Sequence, residues 1–380
     1  MVTSAYDLVV VGRGVVGLAH ALAGARAGWR VAVIDRETRC IGASVRNFGF
    51  VTVTGQQAGI TWRRARRTRD VWAEIAPAAG IAVHQRGLLM CARRPEAVTV
   101  IQEFAASGMG QGCRVLTGRA LPPGLHANVL AALHSPHELR VESRDAIPLL
   151  AKHLATAHGV TFLPRATVLS VEGGRVHTAR GEIAGEHVVV CPGTDLTGLF
   201  PEIIAARGVT LSKLHMLRVA APRVALPSPV MSDLGLLRYL GYAVAASLPA
   251  LRARLQEEQA AWLADGIHLI AVQSGDGSMV VGDSHHYDDS PDPFQPRAVD
   301  DRILAELSAV LDLPHPDVLE RWTGVYPSGP EAAFIETVAP GVRLVMVTSG
   351  TGASTAFALA EETIAGLLGS AAPLHAQEIA

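Results

Sequence analysis

The sequence predicts an α/β fold, a doubly wound parallel sheet interleaved with a second α+β part made mainly of antiparallel sheet. Three observations carry this reading. The chain begins with a strand–helix–strand run of about 30 residues, the length of a parallel crossover unit. It ends on a further strand (LVMVTS, 344–349), a small-residue loop and a helix (FALAEETIAGLL, 357–368). Between these ends lie short strand-like runs with no internal repeat and no low-complexity linker. Two ends of one texture around a middle of another imply interleaved domains. One is assigned to 1–80, 141–210 and 318–376, the other to 81–140 and 211–317. A chain of 380 residues is long enough for both, with cores that need no disulfide or metal.

The elements follow in chain order. Residues 6–11 (YDLVVV) are apolar on both faces after Asp7, as a strand buried in a parallel sheet must be. A glycine turn leads into a helix over 15–27 that Gly28 stops, and 30–35 (RVAVID) is the next strand. Trp62, Ala65 and Trp72, set among arginines, mark a helix over 61–79. A mixed stretch runs from Gly80 to about Val141. A helix over 145–158 is followed by strands at 160–163, 167–171 and 187–191. Within 209–290, HMLRVAA, HLIAVQ and MVVGD supply strands, and one charged helix runs from Leu248 to Asp265. Asp300 or Asp301 is expected to cap a helix over 299–312, and the last helix ends near Gly369.

Composition removes several functions. Lys+Arg 33 against Asp+Glu 35 leaves a formal charge of −2, which is no footprint for nucleic acid or an anionic membrane. Hydrophobic content of 49% with 18% charged residues excludes disorder over most of the chain. Neither a signal peptide nor a spanning helix is expected, since no basic–apolar leader and no run of roughly 18 apolar residues occurs. Cys40, Cys91, Cys113 and Cys191 match no metal or disulfide spacing, which fits a reducing, cytoplasmic setting. The sequence carries no signal for an oligomeric state.

Chemistry enters with Gly12-Arg13-Gly14-Val15-Val16-Gly17, placed between a strand and a helix. Gly12 allows the tight turn, Gly14 lets a pyrophosphate approach the backbone, and Gly17 lets the helix pack on the strand. The helix N-terminus offers amides and the positive end of its dipole. Asp35 ends the next strand with the carboxylate that a ribose hydroxyl requires. This Rossmann-like unit alone does not separate NAD from FAD. Three further segments favour a flavin. They are the polar loop 41–49 (IGASVRNFG), the strand end 188–193 (VVVCPG), and the small-residue run Gly350-Thr351-Gly352-Ala353-Ser354-Thr355 before the last helix. The N-terminus of that helix can stabilise negative charge on a reduced ring. No G-x-S-x-G elbow is present. His285 and His286 are adjacent, point to opposite faces of a strand and have no third ligand at a diagnostic spacing, so no metal is expected.

In this order the GxGxxG, the acidic strand end, the G-A-S loop, VVVCPG and the late G-T-G loop resemble the FAD-dependent amino acid and amine oxidase family, which includes the glycine, D-amino acid and sarcosine oxidases. The resemblance covers nearly the whole chain. It implies that FAD is held by the residues of the glycine turn and by Asp35, Arg36, Ala43, Ser44, Arg46, Asn47, Val168, Pro192, Gly193 and the run Gly350 to Thr355. It makes the discontinuous part with both chain ends the FAD domain, and the other part the substrate domain. It also implies oxidation of a small-molecule amine to an imine that water hydrolyses, with molecular oxygen reduced to hydrogen peroxide. The strings GASVRNFGFV, GQ..G..W with TWRRARRTRDVW, and GDSHHY resemble more closely a bacterial branch associated with aminophosphonate breakdown. That branch implies a substrate such as N-methylated 2-aminoethylphosphonate, giving phosphonoacetaldehyde and the released amine. Oxidation of glycine, sarcosine or a D-amino acid is the alternative, and a noncatalytic dinucleotide-binding protein is a third reading.

Departures from the family pattern are informative. A G-x-R-P segment in glycine and D-amino acid oxidases supplies an arginine for the substrate carboxylate. The matching segment here is Gly324-Val325-Tyr326-Pro327, so Tyr326 stands in its place and that bidentate capture is lost. The cysteine that holds the flavin covalently in monomeric sarcosine oxidases has Gly324 as its counterpart, so noncovalent FAD is expected. A phosphonate still requires cationic partners. The candidates are Arg46, Arg63, Lys213, Arg218, His285 and His286, with Arg46 first because its loop is expected near the flavin. The remaining arginines of 61–79 read as a solvated, salt-bridged face. Arg46 is thus assigned to the substrate anion, Tyr326 to the pocket wall and Thr351 or Ser354 to the flavin edge, with no general base.

Overall fold

The computed structural model describes residues 3–222 and 224–370, so positions 1–2, 223 and 371–376 of the expected domains lie outside the described residues. Five parallel strands form the centre, in the order Val342–Ser349, Gly181–Val190, Thr3–Val11, Val31–Asp35, Thr161–Pro164. Alternation along the strand Thr3–Val11 explains its unbroken apolar run. Leu8 and Val10 face a core shared with the helices Val15–Arg26, Ile60–Ala78, Ser143–His158 and Gly352–Leu367, which include Leu18, Trp72, Leu150 and Phe357. Val9 faces the other way, into a core with Val176, Val188, Ile204 and Leu344. Each face of the sheet is therefore covered, as parallel strands require.

A second layer grows from the long strand Val318–Ala339. Its first half pairs antiparallel with Thr210–Val219, and its second half pairs antiparallel with Val342–Ser349. From Thr210–Val219 the sheet continues through Met279–Gly282, Ile270–Gln273, Val230–Ser232, Val83–Ala92 and Ala131–Val141. Only the Val230–Ser232 and Val83–Ala92 contact in that series is parallel. The helices Pro95–Ala106, Leu248–Glu258 and Arg297–Val310 close a third core over this sheet, with Phe104, Leu251 and Ile303 fully buried.

Several elements differ from the sequence expectation. The helix expected over 248–265 breaks at Gln259, which leaves Leu248–Glu258 and Ala260–Ala264. Gln259 accepts from Arg94 and donates to Glu306 through its side chain, and that buried network fixes the break. The helix expected over 299–312 starts at Arg297 after Pro296, so Asp300 and Asp301 are not its cap. Asp300 instead lies buried, 3.2 Å from His215 Nδ1 and 3.1 Å from Arg321 Nε. The strand ending at Val190 begins at Gly181 and carries a hairpin partner, Arg175–Thr178, that the sequence did not signal. The last helix begins at Gly352, five residues before the start expected at 357, so most of the small-residue run is its first turn. Two arginines of the Ile60–Ala78 helix form salt bridges as expected, but toward another helix rather than on a solvated face. Arg64 and Arg67 fork onto Glu362 and Glu361 and bind this helix to the C-terminal one.

Candidate active site

A cavity of about 420 Å³ runs between the parallel sheet and the second layer. At one end lies the glycine turn. A side chain at Gly12 would meet the Cys191 carbonyl oxygen at 2.4 Å, and one at Gly17 would meet the Gly12 oxygen at 1.9 Å. Both glycines are therefore demanded by close packing. Gly14 is different. A Cβ there would stand 3.1 Å from Ser44 Oγ and project into the cleft between turn and loop, where a pyrophosphate would lie. Ser44 accepts a hydrogen bond from the Val15 amide at 2.8 Å, so the 43–45 turn sits against the helix N-terminus. Asp35 is held at the strand end by the amides of Arg13 (2.8 Å) and Glu37 (2.7 Å).

Other expected cofactor residues fall into two groups. Gly14, Val15, Val16, Gly17, Ala43, Ser44, Arg46, Asn47, Gly193, Gly350, Thr351, Gly352, Ala353 and Ser354 line the cavity. Gly12, Asp35, Arg36, Val168, Pro192 and Thr355 do not. Arg36 is exposed and pairs with Asp195 at 2.9 Å. Val168 packs against the core on the far face of the sheet. Thr355 is buried and its hydroxyl donates to the Thr351 carbonyl one turn back. Asn47 organises its own loop, donating to the Ala43 carbonyl and accepting from the Gly49 amide and the Ser143 hydroxyl. The N-terminus of the helix Gly352–Leu367 opens onto the cavity. There the Ser354 hydroxyl is occupied by Thr52, accepting from its amide at 2.9 Å, and the Thr351 hydroxyl lies 2.7 Å from that of Ser349. A glycine cleft and a helix N-terminus at one end, with a second helix N-terminus further along, fit the parts of FAD in sequence, while Asp35 lies outside the cavity lining.

Opposite lies the wall supplied by the second layer. Tyr326 is 9% exposed, its ring packs against Gly350, and its hydroxyl accepts from Arg238 at 3.1 Å. Burial pushes the Tyr326 phenol up to about 12. Arg238 and Tyr239 reach this wall because the following turn is pressed onto the 55–56 backbone. Gly241 donates to the Gly55 carbonyl at 2.9 Å, and a side chain at Gly241 would meet the Gln56 oxygen at 2.4 Å. His268, Asp283 and His285 complete the wall, all buried. Burial lifts Asp283 to about 7 against the pull of Arg238. Burial, reinforced by Arg238, lowers His268 to about 3. Burial and then the neighbouring His268 and Arg238 drive His285 well below its usual range.

The candidate anion partners are redistributed accordingly. Arg46 lines the cavity and, like Arg238, is exposed, but its Nε is turned to its own loop, donating to the Ile41 carbonyl at 2.7 Å. Lys213 pairs with Asp292 and donates to the Phe294 carbonyl. Arg218 is held by Ser278 and Glu142. Neither they nor Arg63 nor His286 line the cavity. His285 does, and His268 and Asp283 lie beside it, with one possible ligand atom from each within 4.8 Å of the others. Spacing could not show this, because strand pairing brings them together, with the His268 amide donating to the Asp283 carbonyl at 3.4 Å. Arg238, Tyr239, Thr52 and Gln56 were also missed. Gln56 fell within the GQ..G..W string and Asp283 within GDSHHY, whereas Arg238 and His268 lie in no recognisable pattern.

Among the described residues, no helix is long and apolar enough to cross a membrane. No curated protein matches the chain. Solved structures resemble it over almost their full length. Glycine oxidase from Geobacillus kaustophilus superposes with a TM-score of 0.77 at 18% identity, covering 97% of this chain and 96% of its own. L-proline dehydrogenase from P. horikoshii gives 0.76 at 19% identity, covering 97% and 95%. L-alpha-glycerophosphate oxidase from Mycoplasma pneumoniae, solved with FAD bound, gives 0.75 at 14% identity, covering 96% and 95%. The family described as DAO, FAD dependent oxidoreductase, matches residues 7–365, and this chain belongs to it.

Proposed function

We propose that this enzyme oxidises the C–N bond of an amine that carries an anionic group, an aminophosphonate such as N-methylated 2-aminoethylphosphonate. FAD, when bound, would supply the redox chemistry as acceptor of a hydride from the carbon that bears nitrogen. The resulting imine is hydrolysed, so that substrate, oxygen and water yield phosphonoacetaldehyde, the released amine and hydrogen peroxide. The chain's own groups bind and orient. The observation that carries the reading is Arg238, which donates to Tyr326 at the wall of the cavity and is its best-placed cation for an oxyanion. Tyr326 adds one hydrogen bond and an apolar face beside Gly350. The parallel-sheet part (1–80, 141–210, 318–376) would hold the cofactor through the glycine turn, Asp35, the 43–47 loop and the Gly350–Ser354 segment. The other part (81–140, 211–317) would supply the substrate wall. Four unpaired cysteines support a reducing, cytoplasmic setting as part of this reading.

A second reading is favoured by the same arginine. A carboxylate also suits a guanidinium, and the similar structures include a glycine oxidase and a proline dehydrogenase. Glycine, sarcosine and D-amino acids therefore belong in the test. A panel of aminophosphonates, amino acids and uncharged amines is read by peroxide release and by anaerobic bleaching of the flavin. Aminophosphonates are expected to give the highest kcat/KM. Arg238→Ala is expected to lower that value by about 1.5–3 kcal/mol, the range for a hydrogen bond to a charged group, with FAD content unchanged. Arg46→Ala is expected to do less. A panel led by uncharged amines, or an Arg238→Ala enzyme with unaltered kinetics, would remove the anion from the proposal.

A further inference from the structure

His268, Asp283 and His285 meet in the cavity wall, with one ligand atom from each within 4.8 Å of the others. His268 Nδ1 lies 3.3 Å from Asp283 Oδ1, and His285 Nε2 lies 3.9 Å from Asp283 Oδ2. The three residues are only 4%, 5% and 7% exposed. Buried polar atoms are almost always paired, because leaving them bare is costly. His268 Nδ1 and Asp283 Oδ1 nevertheless have no hydrogen-bond partner. The tautomer of His285 sharpens the point. Its Nδ1 lies 2.9 Å from the Gly266 carbonyl oxygen, which can only accept, so Nδ1 carries the proton and Nε2 a lone pair. That lone pair faces a carboxylate oxygen. Either a proton on Asp283 or a bound cation would offset two such neighbouring acceptors.

We propose that His268, Asp283 and His285 bind a divalent transition-metal ion of the zinc type, with one coordination position open to the cavity. Two imidazoles and a carboxylate are a common ligand set for such an ion. Bonds of about 2.0 Å in tetrahedral array place ligand atoms about 3.3 Å apart, the separation of His268 Nδ1 from Asp283 Oδ1, whereas His285 Nε2, 3.9 Å from Asp283 Oδ2, would have to move in. A backbone carbonyl on the far N–H is how ligating histidines are oriented, and Gly266 supplies it for His285. Three protein ligands leave a fourth position for an oxygen donor, and all three residues line the cavity. An oxyanion of a bound substrate is the chemistry that position would take, beside Arg238. The metal site does not depend on which amine is the substrate.

The test uses the FAD-loaded enzyme, incubated with zinc chloride and desalted. Zinc is measured by plasma mass spectrometry and flavin by absorbance. About one zinc per chain is expected, falling about tenfold or more in His268→Ala and His285→Ala while flavin content holds. Should the alanine variants not fold, Asp283→Asn keeps the side-chain shape, removes the charge and is expected to lose zinc likewise. Less than about 0.1 zinc per flavin-loaded wild-type chain would overturn the proposal and leave a proton on Asp283 as the bridge. Equal zinc in the wild type and the folded variants would overturn it too, by placing the ion elsewhere.

Discussion

At the scale of single residues, the glycine turn separates packing from binding. Gly12 and Gly17 are closed off by backbone oxygens, so substitutions there strain the fold itself. At Gly14 the nearest obstacle is the Ser44 hydroxyl, which lies at the cofactor cleft. Gly14→Val is therefore expected to give a folded protein with little flavin. The ratio of absorbance at 450 nm to that at 280 nm (about a tenth of wild type or less) and an unchanged far-ultraviolet dichroism spectrum would check this. Full flavin in that variant would show that the loop has another use. The phosphate end was legible in the sequence because its chemistry is local: glycines, a helix start and an acid at the next strand end fall within one crossover unit. The substrate wall was not. Arg238 reaches Tyr326 through a turn pressed onto the 55–56 backbone, and His268 reaches Asp283 through strand pairing. Neither approach leaves a spacing to read, so Arg46, which sits in a recognisable loop, took the role that Arg238 is now proposed to fill.

At the scale of elements, the two helices that present N-termini to the cavity are joined to each other. His20, on the helix Val15–Arg26, is fully buried. Its Nδ1 lies 2.7 Å from the Val16 carbonyl and its Nε2 3.0 Å from the Thr363 hydroxyl on the C-terminal helix. Burial lowers its pKa to about 4, against the ordinary value of 6.5. The sign follows from linkage. Below about pH 6.5 the unfolded chain takes up a proton at this position that the folded chain refuses until about pH 4, so His20 favours folding above that window and loses this contribution as pH falls through it. The loss amounts to as much as about 3 kcal/mol. In a melting series from pH 7 to pH 4.5, His20→Gln is expected to flatten part of the acid-side fall in melting temperature. Parallel wild-type and variant curves would mean that His20 is not the titrating group. The parallel strands and their helices were readable from period and length. The early start of the last helix was not, because Gly352-Ala353-Ser354 has the composition of a loop, and only packing against the Ile60–Ala78 helix, with Trp72 donating to the Ala353 carbonyl at 2.9 Å, makes it a helical turn.

At the scale of the whole molecule, the cavity is walled by both layers, so a bound FAD would touch residues 14–17 and 43–47 of one and lie beneath the Arg238–Tyr326 wall of the other. Retention of the cofactor is then expected to depend on the folded arrangement, with no covalent bond. Among the described residues the one cysteine on the cavity is Cys191, packed beside Gly12 at the end with the glycine turn. Acid precipitation is accordingly expected to leave the yellow colour in the supernatant, and colour retained in the pellet would refute noncovalent binding. The same geometry makes FAD a ligand of the native state alone. At free FAD about 100 times its Kd, binding stabilises the fold by about 2.7 kcal/mol. For a chain of this size that raises the melting temperature by about 3 °C, and each further tenfold in FAD adds about half as much again. Apoprotein titrated with FAD in a melting assay should follow this logarithmic rise. A melting temperature indifferent to FAD would mean that the cofactor does not join the two layers as the cavity suggests.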